Sequence, residues 1–119
     1  MAPTVIIVDD HAGFRAGAAQ LLKAAGYEVV ASCPDGRSAL AAISQLHPDV
    51  LLLDVQLPDI DGFQLIAQLD AGADGPTIVL TSSREAADYG GRVARSGAAG
   101  FITKAELSAR SLAQVVTRR

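Results

Sequence analysis

The chain has 119 residues, a length that suits one domain of ordinary size, and half of them are hydrophobic, enough to build a core. The formal net charge is −3, aromatics make up 4% and tryptophan is absent, a balance that speaks against a nucleic-acid-binding surface, which needs a basic face or stacking rings. The apolar stretches are too short to cross a membrane and no basic, then apolar, signal segment opens the chain, so the sequence reads as cytoplasmic.

Residues 4–9 read as a first strand, an apolar run Val5-Ile6-Ile7-Val8 ending in Asp9-Asp10. Phe14, Ala18, Leu21, Leu22 and Ala25 recur at helical spacing, which predicts a helix over 12–25 stopped by Gly26. Tyr27 to Cys33 is a second strand. Cys33, the single cysteine, has no internal partner and reads as a structural thiol. Pro34-Asp35-Gly36 marks a turn, and Ala39, Leu40, Ile43 and Leu46 recur at helical spacing in a helix over 37–46 that Pro48 closes. Val50-Leu51-Leu52-Leu53-Asp54 is apolar throughout until its last residue, the pattern of a central strand buried on both faces. Phe63, Leu65, Ile66 and Leu69 make a short helix, residues 70–76 a Gly-rich loop, and 77–81 a fourth strand. Residues 84–96 predict a weak helix with Gly90-Gly91 at its centre and Ala87, Val93, Ala94 and Tyr89 inward. Residues 99–103 are a fifth strand, and 106–118 a final helix with Leu107, Leu112, Val115 and Val116 inward; Arg118 and Arg119 suit its C-terminus.

Strict β-α alternation implies a parallel sheet with helices on both faces, since each crossover is right-handed. The strand ends then share one edge, where α/β sheets form their sites. That edge collects Asp9, Asp10, Asp54, Thr81 and Lys104. Carboxylates gathered this closely repel one another unless a cation joins them, and a site with room for water suits Mg²⁺. Helix capping is the competing use of Asp9-Asp10.

The set Asp9-Asp10, Asp54 with Leu57-Pro58 and Asp61-Gly62, Thr81, and Phe101 with Lys104 resembles the receiver domain of bacterial two-component response regulators, over essentially the whole of residues 1–119. The resemblance implies a flavodoxin-like (βα)5 fold with strand order 2-1-3-4-5; residues 1–119 leave room for the receiver alone, so no output domain is expected within them. It implies that Asp54 accepts a phosphoryl group from the phosphohistidine of a sensor histidine kinase or phosphotransfer protein. Asp10, Asp54 and the Gln56 carbonyl would ligate Mg²⁺, with Asp9 holding a coordinated water. Lys104 and Thr81 would bind phosphoryl oxygens, and Phe101 would turn inward as Thr81 moves. Gln56 and Ser83 would tune the lifetime of the acyl phosphate. The switched surface would be segment 84–96 with the fifth strand and last helix, a face that also suits a homodimer. No direct nucleic-acid or membrane contact is expected of this domain. His11 is assigned no role.

Two features depart from the family pattern. Lys104 precedes Ala105 instead of proline, so a trans bond is expected there. The chain also stops after its last helix, as a single-domain or an excised receiver would. Three other functions compete. An aspartate-nucleophile phosphotransferase of the haloacid dehalogenase type would need a second Asp two residues after the first, where His11 stands. A degenerate receiver acting only through protein contacts would not need all the key positions filled. A flavodoxin-like cofactor binder would want a Gly- or Ser-rich loop in place of Asp9-Asp10-His11.

Overall fold

The computed structural model describes residues 2–69 and 75–117. Five parallel strands, β1 (Thr4–Val8), β2 (Glu28–Cys33), β3 (Val50–Asp54), β4 (Thr77–Ser82) and β5 (Gly100–Thr103), form one sheet in the order β2-β1-β3-β4-β5. The connecting helices are α1 (Ala12–Ala24), α2 (Gly36–Leu46), α3 (Gly62–Gln68), the four-residue α4 (Arg92–Arg95) and α5 (Ala109–Val116). The flavodoxin-like order expected from the resemblance is therefore present.

Side-chain alternation along the strands divides the core into two layers. Ile6, Val8, Leu51, Leu53, Ile78 and Leu80 face α2 and α3, meeting Ala39, Ile43, Leu65 and Ile66. Val5, Ile7, Val50, Leu52, Val79 and Ile102 face α1 and α5, meeting Ala18, Leu22, Leu112 and Val115. All five residues of β3 are buried, as a strand covered on both faces requires.

The helix ends follow from local chemistry. Asp35 accepts from the Ser38 amide at the start of α2, while Asp59 reaches across from the loop after β3 to accept from the Gly36 and Arg37 amides at 2.8 and 2.9 Å. Asp61 and Gln64 form a reciprocal cap on α3. Gly26, at φ +95°, follows α1, and His47 turns left-handed at φ +46° just before Pro48.

Two predicted helices come out shorter. The last begins at Ala109 instead of residue 106, because Lys104–Glu106 form a 3-10 turn and Ser108, whose hydroxyl accepts from the Ser111 amide, supplies the cap. The helix predicted over 84–96 is broken in two: a 3-10 turn at Ala86–Tyr89, then α4. Gly90 takes φ +59° and ψ −134°, which no helix contains, so the glycine pair interrupts the helix where it was expected only to weaken it. Of the residues expected inward, Tyr89 and Val93 are half-buried and Ala87 and Ala94 are exposed. The predicted loop at 70–76 lies mostly outside the described residues. No helix among those described is long and apolar enough to cross a membrane.

Candidate functional site

The site is assembled by strand register. β1 and β3 pair Val8 with Leu53, so Asp9, one residue on, stands opposite Asp54. β3 and β4 pair Asp54 with Thr81. The alternation that sends Ile7, Leu52 and Val79 toward α1 and α5 puts Asp9, Asp54 and Thr81 on that same side. Lys104, just past β5, returns over them. Its ammonium lies 2.7 Å from Asp9 Oδ2 and 3.2 Å from Asp54 Oδ2. It also sits 4.7 Å from the centre of the Phe14 ring, which shields its flank. The Lys104–Ala105 bond is trans, as the missing proline predicted.

Asp9 is wholly buried and Asp54 is 3% exposed. Taking a carboxylate out of water disfavours its charge, and the neighbouring Asp9 charge adds to this, so Asp54 is pushed up to about 6 despite the Gln56 amide and Lys104. Burial also opposes ionisation of Asp9, but bonds from Lys104 and the His11 amide outweigh it and hold Asp9 below the usual carboxylate range. Lys104 is half-buried, which by itself favours loss of its proton; Asp9 and Asp54 reverse that and raise its pKa. The pair of aspartates therefore shares one ammonium unequally.

The loop after β3 closes tightly on the site. The Gly62 amide donates to the Val55 carbonyl at 2.7 Å, and a Cβ at Gly62 would fall 2.8 Å from the Asp54 carbonyl oxygen. Only glycine lets the chain approach this closely. The Gln56 amide donates to Asp54 Oδ1 at 3.2 Å, and the Val55 amide to the Thr81 carbonyl at 2.9 Å. The Thr81 hydroxyl is buried with no hydrogen-bond partner. Burying an unpaired hydroxyl costs free energy, which a ligand oxygen would recover.

Asp10 is exposed at the rim, and one ligand atom from each of Asp9, Asp10, His11 and Asp54 lies within 4.8 Å of the others. Three carboxylates against one ammonium, with Asp10 open to water, fit a hard divalent cation bound by oxygens. Phe101 stands apart from these groups. Alternation turns it, with Leu80, to the opposite face, where it packs against Tyr89 with ring centres 6.1 Å apart.

Several participants were not singled out from sequence. His11 turns its ring onto Asp9 and Asp10. Arg15 donates to the Asp9 carbonyl at 2.5 Å, bracing the turn that carries the acidic pair. Ser82, one residue before the expected Ser83, is buried and bonded to the Tyr89 hydroxyl at 2.6 Å, whereas Ser83 is exposed. Strand alternation carried through residue 82 would have pointed to Ser82 as buried.

A family model described as "Response regulator receiver domain" matches residues 5–117. The chain belongs to the response regulator receiver family. The chain spans about half the length of the curated relatives it matches. Among these, it is 35% identical to "Fimbriae Z protein" of Salmonella typhimurium over 102 residues, covering 85% of this chain and 49% of that protein. It is 33% identical to "DNA-binding transcriptional activator EvgA" of Escherichia coli over 101 residues, covering 85% and 50%. Among solved structures, the signal receiver domain of the putative response regulator NarL from Mycobacterium tuberculosis superposes with a TM-score of 0.86 at 29% identity, covering 99% of this chain and 98% of that one. The chemotaxis response regulator CheY4 of Vibrio cholerae gives 0.83 at 26% identity, covering 99% and 98%. This receiver thus shares both sequence and fold with signalling domains of two-component systems.

Proposed function

We propose that this receiver accepts a phosphoryl group on Asp54 from a phosphohistidine of a partner kinase or phosphotransfer protein. One observation carries the proposal: Asp54 lies beside a buried, unpartnered Thr81 hydroxyl while the Lys104 ammonium spans Asp54 and Asp9.

An Asp54 carboxylate oxygen attacks phosphorus, the P–N bond to the donor histidine breaks, and its electron pair stays on the imidazole. Deprotonated Asp54 is the reactive form, and a pKa of about 6 leaves it mostly ionised near neutral pH. Lys104 neutralises charge on the phosphoryl oxygens, and the Thr81 hydroxyl donates to one of them. Asp10, Asp54 and the Gln56 carbonyl would hold Mg²⁺, with Asp9 on a coordinated water; bound there, the ion would supply charge neutralisation to the phosphoryl oxygens. Gln56 and Ser83, both exposed, flank the mouth of the site and would set access for the water that hydrolyses the acyl phosphate.

The output would be a shift of the surface made by residues 84–96, β5 and α5. Thr81 and Ser82 are consecutive, and Ser82 holds Tyr89, which packs on both Phe63 and Phe101. Movement of Thr81 toward phosphate would draw on that chain of contacts. The same face could pair two copies, and the domain would act in the cytoplasm.

Incubation with Mg²⁺ and acetyl phosphate should add one phosphoryl group to the intact mass, and Asp54→Asn should abolish it. Undiminished labelling of the variant would refute Asp54 as the acceptor.

A further inference from the structure

We propose that His11 is a ligand of the cation site and tilts its preference from Mg²⁺ toward divalent ions that also take imidazole nitrogen, such as Mn²⁺ and Co²⁺. The inference rests on the proposed cation site and goes further in naming a nitrogen donor within it.

His11 is the residue that opens α1, a position where a polar side chain normally turns onto the free amides of the first turn. It makes no such bond. Its backbone is extended, its amide donates to Asp9 Oδ1 at 2.7 Å, and its ring folds the other way. Nδ1 lies 3.0 Å from Asp10 Oδ1, 3.1 Å from Asp9 Oδ1 and 3.5 Å from Lys104 Nζ. The imidazole therefore presents Nδ1 to the carboxylates, while the rest of the ring is open to water.

This places one nitrogen among three carboxylates, all four donor atoms lying within 4.8 Å of one another. The Thr81 hydroxyl, buried without a hydrogen-bond partner at the position that pairs with Asp54, is a further polar group turned to this side of the sheet end. Mg²⁺ prefers oxygen and gains little from imidazole, whereas Mn²⁺, Co²⁺ and Zn²⁺ accept it readily, with affinity rising along that series of metals. The residue type at position 11 then decides which ions compete for the site. For Nδ1 to ligate, it must be unprotonated, and the proton of the neutral ring then sits on the solvent-facing Nε2.

The test uses the 119-residue chain with Mn²⁺ and Mg²⁺ as probes. Mn²⁺ bound to the wild type should show nitrogen modulation in its electron spin echo envelope. His11→Ala should remove that modulation, and His47→Ala, at the other histidine, should keep it. By titration, His11→Ala should weaken Mn²⁺ and Co²⁺ by roughly tenfold or more and leave Mg²⁺ within about threefold. His11→Asn, which keeps a polar residue at the helix start, should behave like the alanine variant. Absence of nitrogen modulation in the wild type, or equal weakening of Mg²⁺ and Mn²⁺ in both variants, would overturn the inference. Failure of the cation site itself is separable: there, Asp54→Asn would leave Mn²⁺ and Mg²⁺ affinity unchanged, whereas failure of His11 alone would leave Asp54-dependent binding without a nitrogen signal.

Discussion

Replacing Asp54 with asparagine should make the metal-free protein more stable. Asp54 is 3% exposed, and burial together with the Asp9 charge lifts its pKa from 3.8 to about 6. A group whose folded pKa is raised holds its proton in the folded state after the unfolded chain has lost it. Its charge therefore penalises folding as pH rises from about 4 to about 6, and the full penalty persists above that. Two pH units at about 1.36 kcal/mol each put the penalty near 3 kcal/mol. Asparagine keeps the shape and an acceptor oxygen for the Gln56 amide, and leaves Lys104 to Asp9. The pull of Lys104 is already contained in that shift; what returns part of the gain is the asparagine NH₂, a buried donor set beside the Lys104 ammonium. The net stabilisation should be about 1–3 kcal/mol at neutral pH, or several degrees in Tm for a domain of this size. Urea unfolding of both proteins in EDTA, at steps between about pH 4 and pH 7, measures it. The difference should grow across that range and then level off. Adding Mg²⁺ should narrow it, because an ion that binds only the folded wild type stabilises it by mass action. A variant less stable than wild type at neutral pH without metal, or a difference that does not change with pH, would refute the electrostatic reasoning.

Three further outcomes are expected. Gly62→Ala sets a Cβ 2.8 Å from the Asp54 carbonyl, so it should cost about 1–3 kcal/mol in urea unfolding and slow labelling by acetyl phosphate; wild-type values for both would show that the loop yields without effect. Asp59 is held at about 2 first by the Gly36 amide, and its charged form stabilises the start of α2; that contribution is present above about pH 4 and lost as pH falls toward 2. Asp59→Ala should therefore lower stability at neutral pH and flatten the acid limb of the unfolding profile, and an unchanged acid limb would count against the cross-loop cap. Amides of residues 86–94 should exchange quickly without phosphodonor and slow with Mg²⁺ and beryllium fluoride, since Gly90 breaks the helix and few side chains there are covered; protection equal to β3 in both states would show a rigid segment.

The five strands, the parallel sheet and the gathering of Asp9, Asp54, Thr81 and Lys104 at one edge were legible in the sequence. Each follows from short-range pattern: apolar runs of strand length, helical spacing between them, and polar residues where the runs stop. Alternation within a strand is a local rule too, so even the common face of Asp9, Asp54 and Thr81 was implicit once the strands were parallel. Tertiary structure decided the rest, because it depends on groups distant in sequence meeting through space. The unequal sharing of Lys104, which depresses Asp9 and raises Asp54, depends on distances of 2.7 and 3.2 Å across 95 and 50 positions of chain. The capping of α2 by Asp59 joins residues 22 and 23 positions apart. At Gly90 a helical propensity argument counted only the energy lost per glycine, while the backbone took a conformation outside the helix altogether and Tyr89 bonded to Ser82. The turn of His11 away from its helix toward Asp9 and Asp10 had no sequence signal, because a histidine at a helix start looks the same whichever way its ring points. Local pattern determines where polar groups emerge from the sheet; their partners and charge states are set by the packing that brings them together.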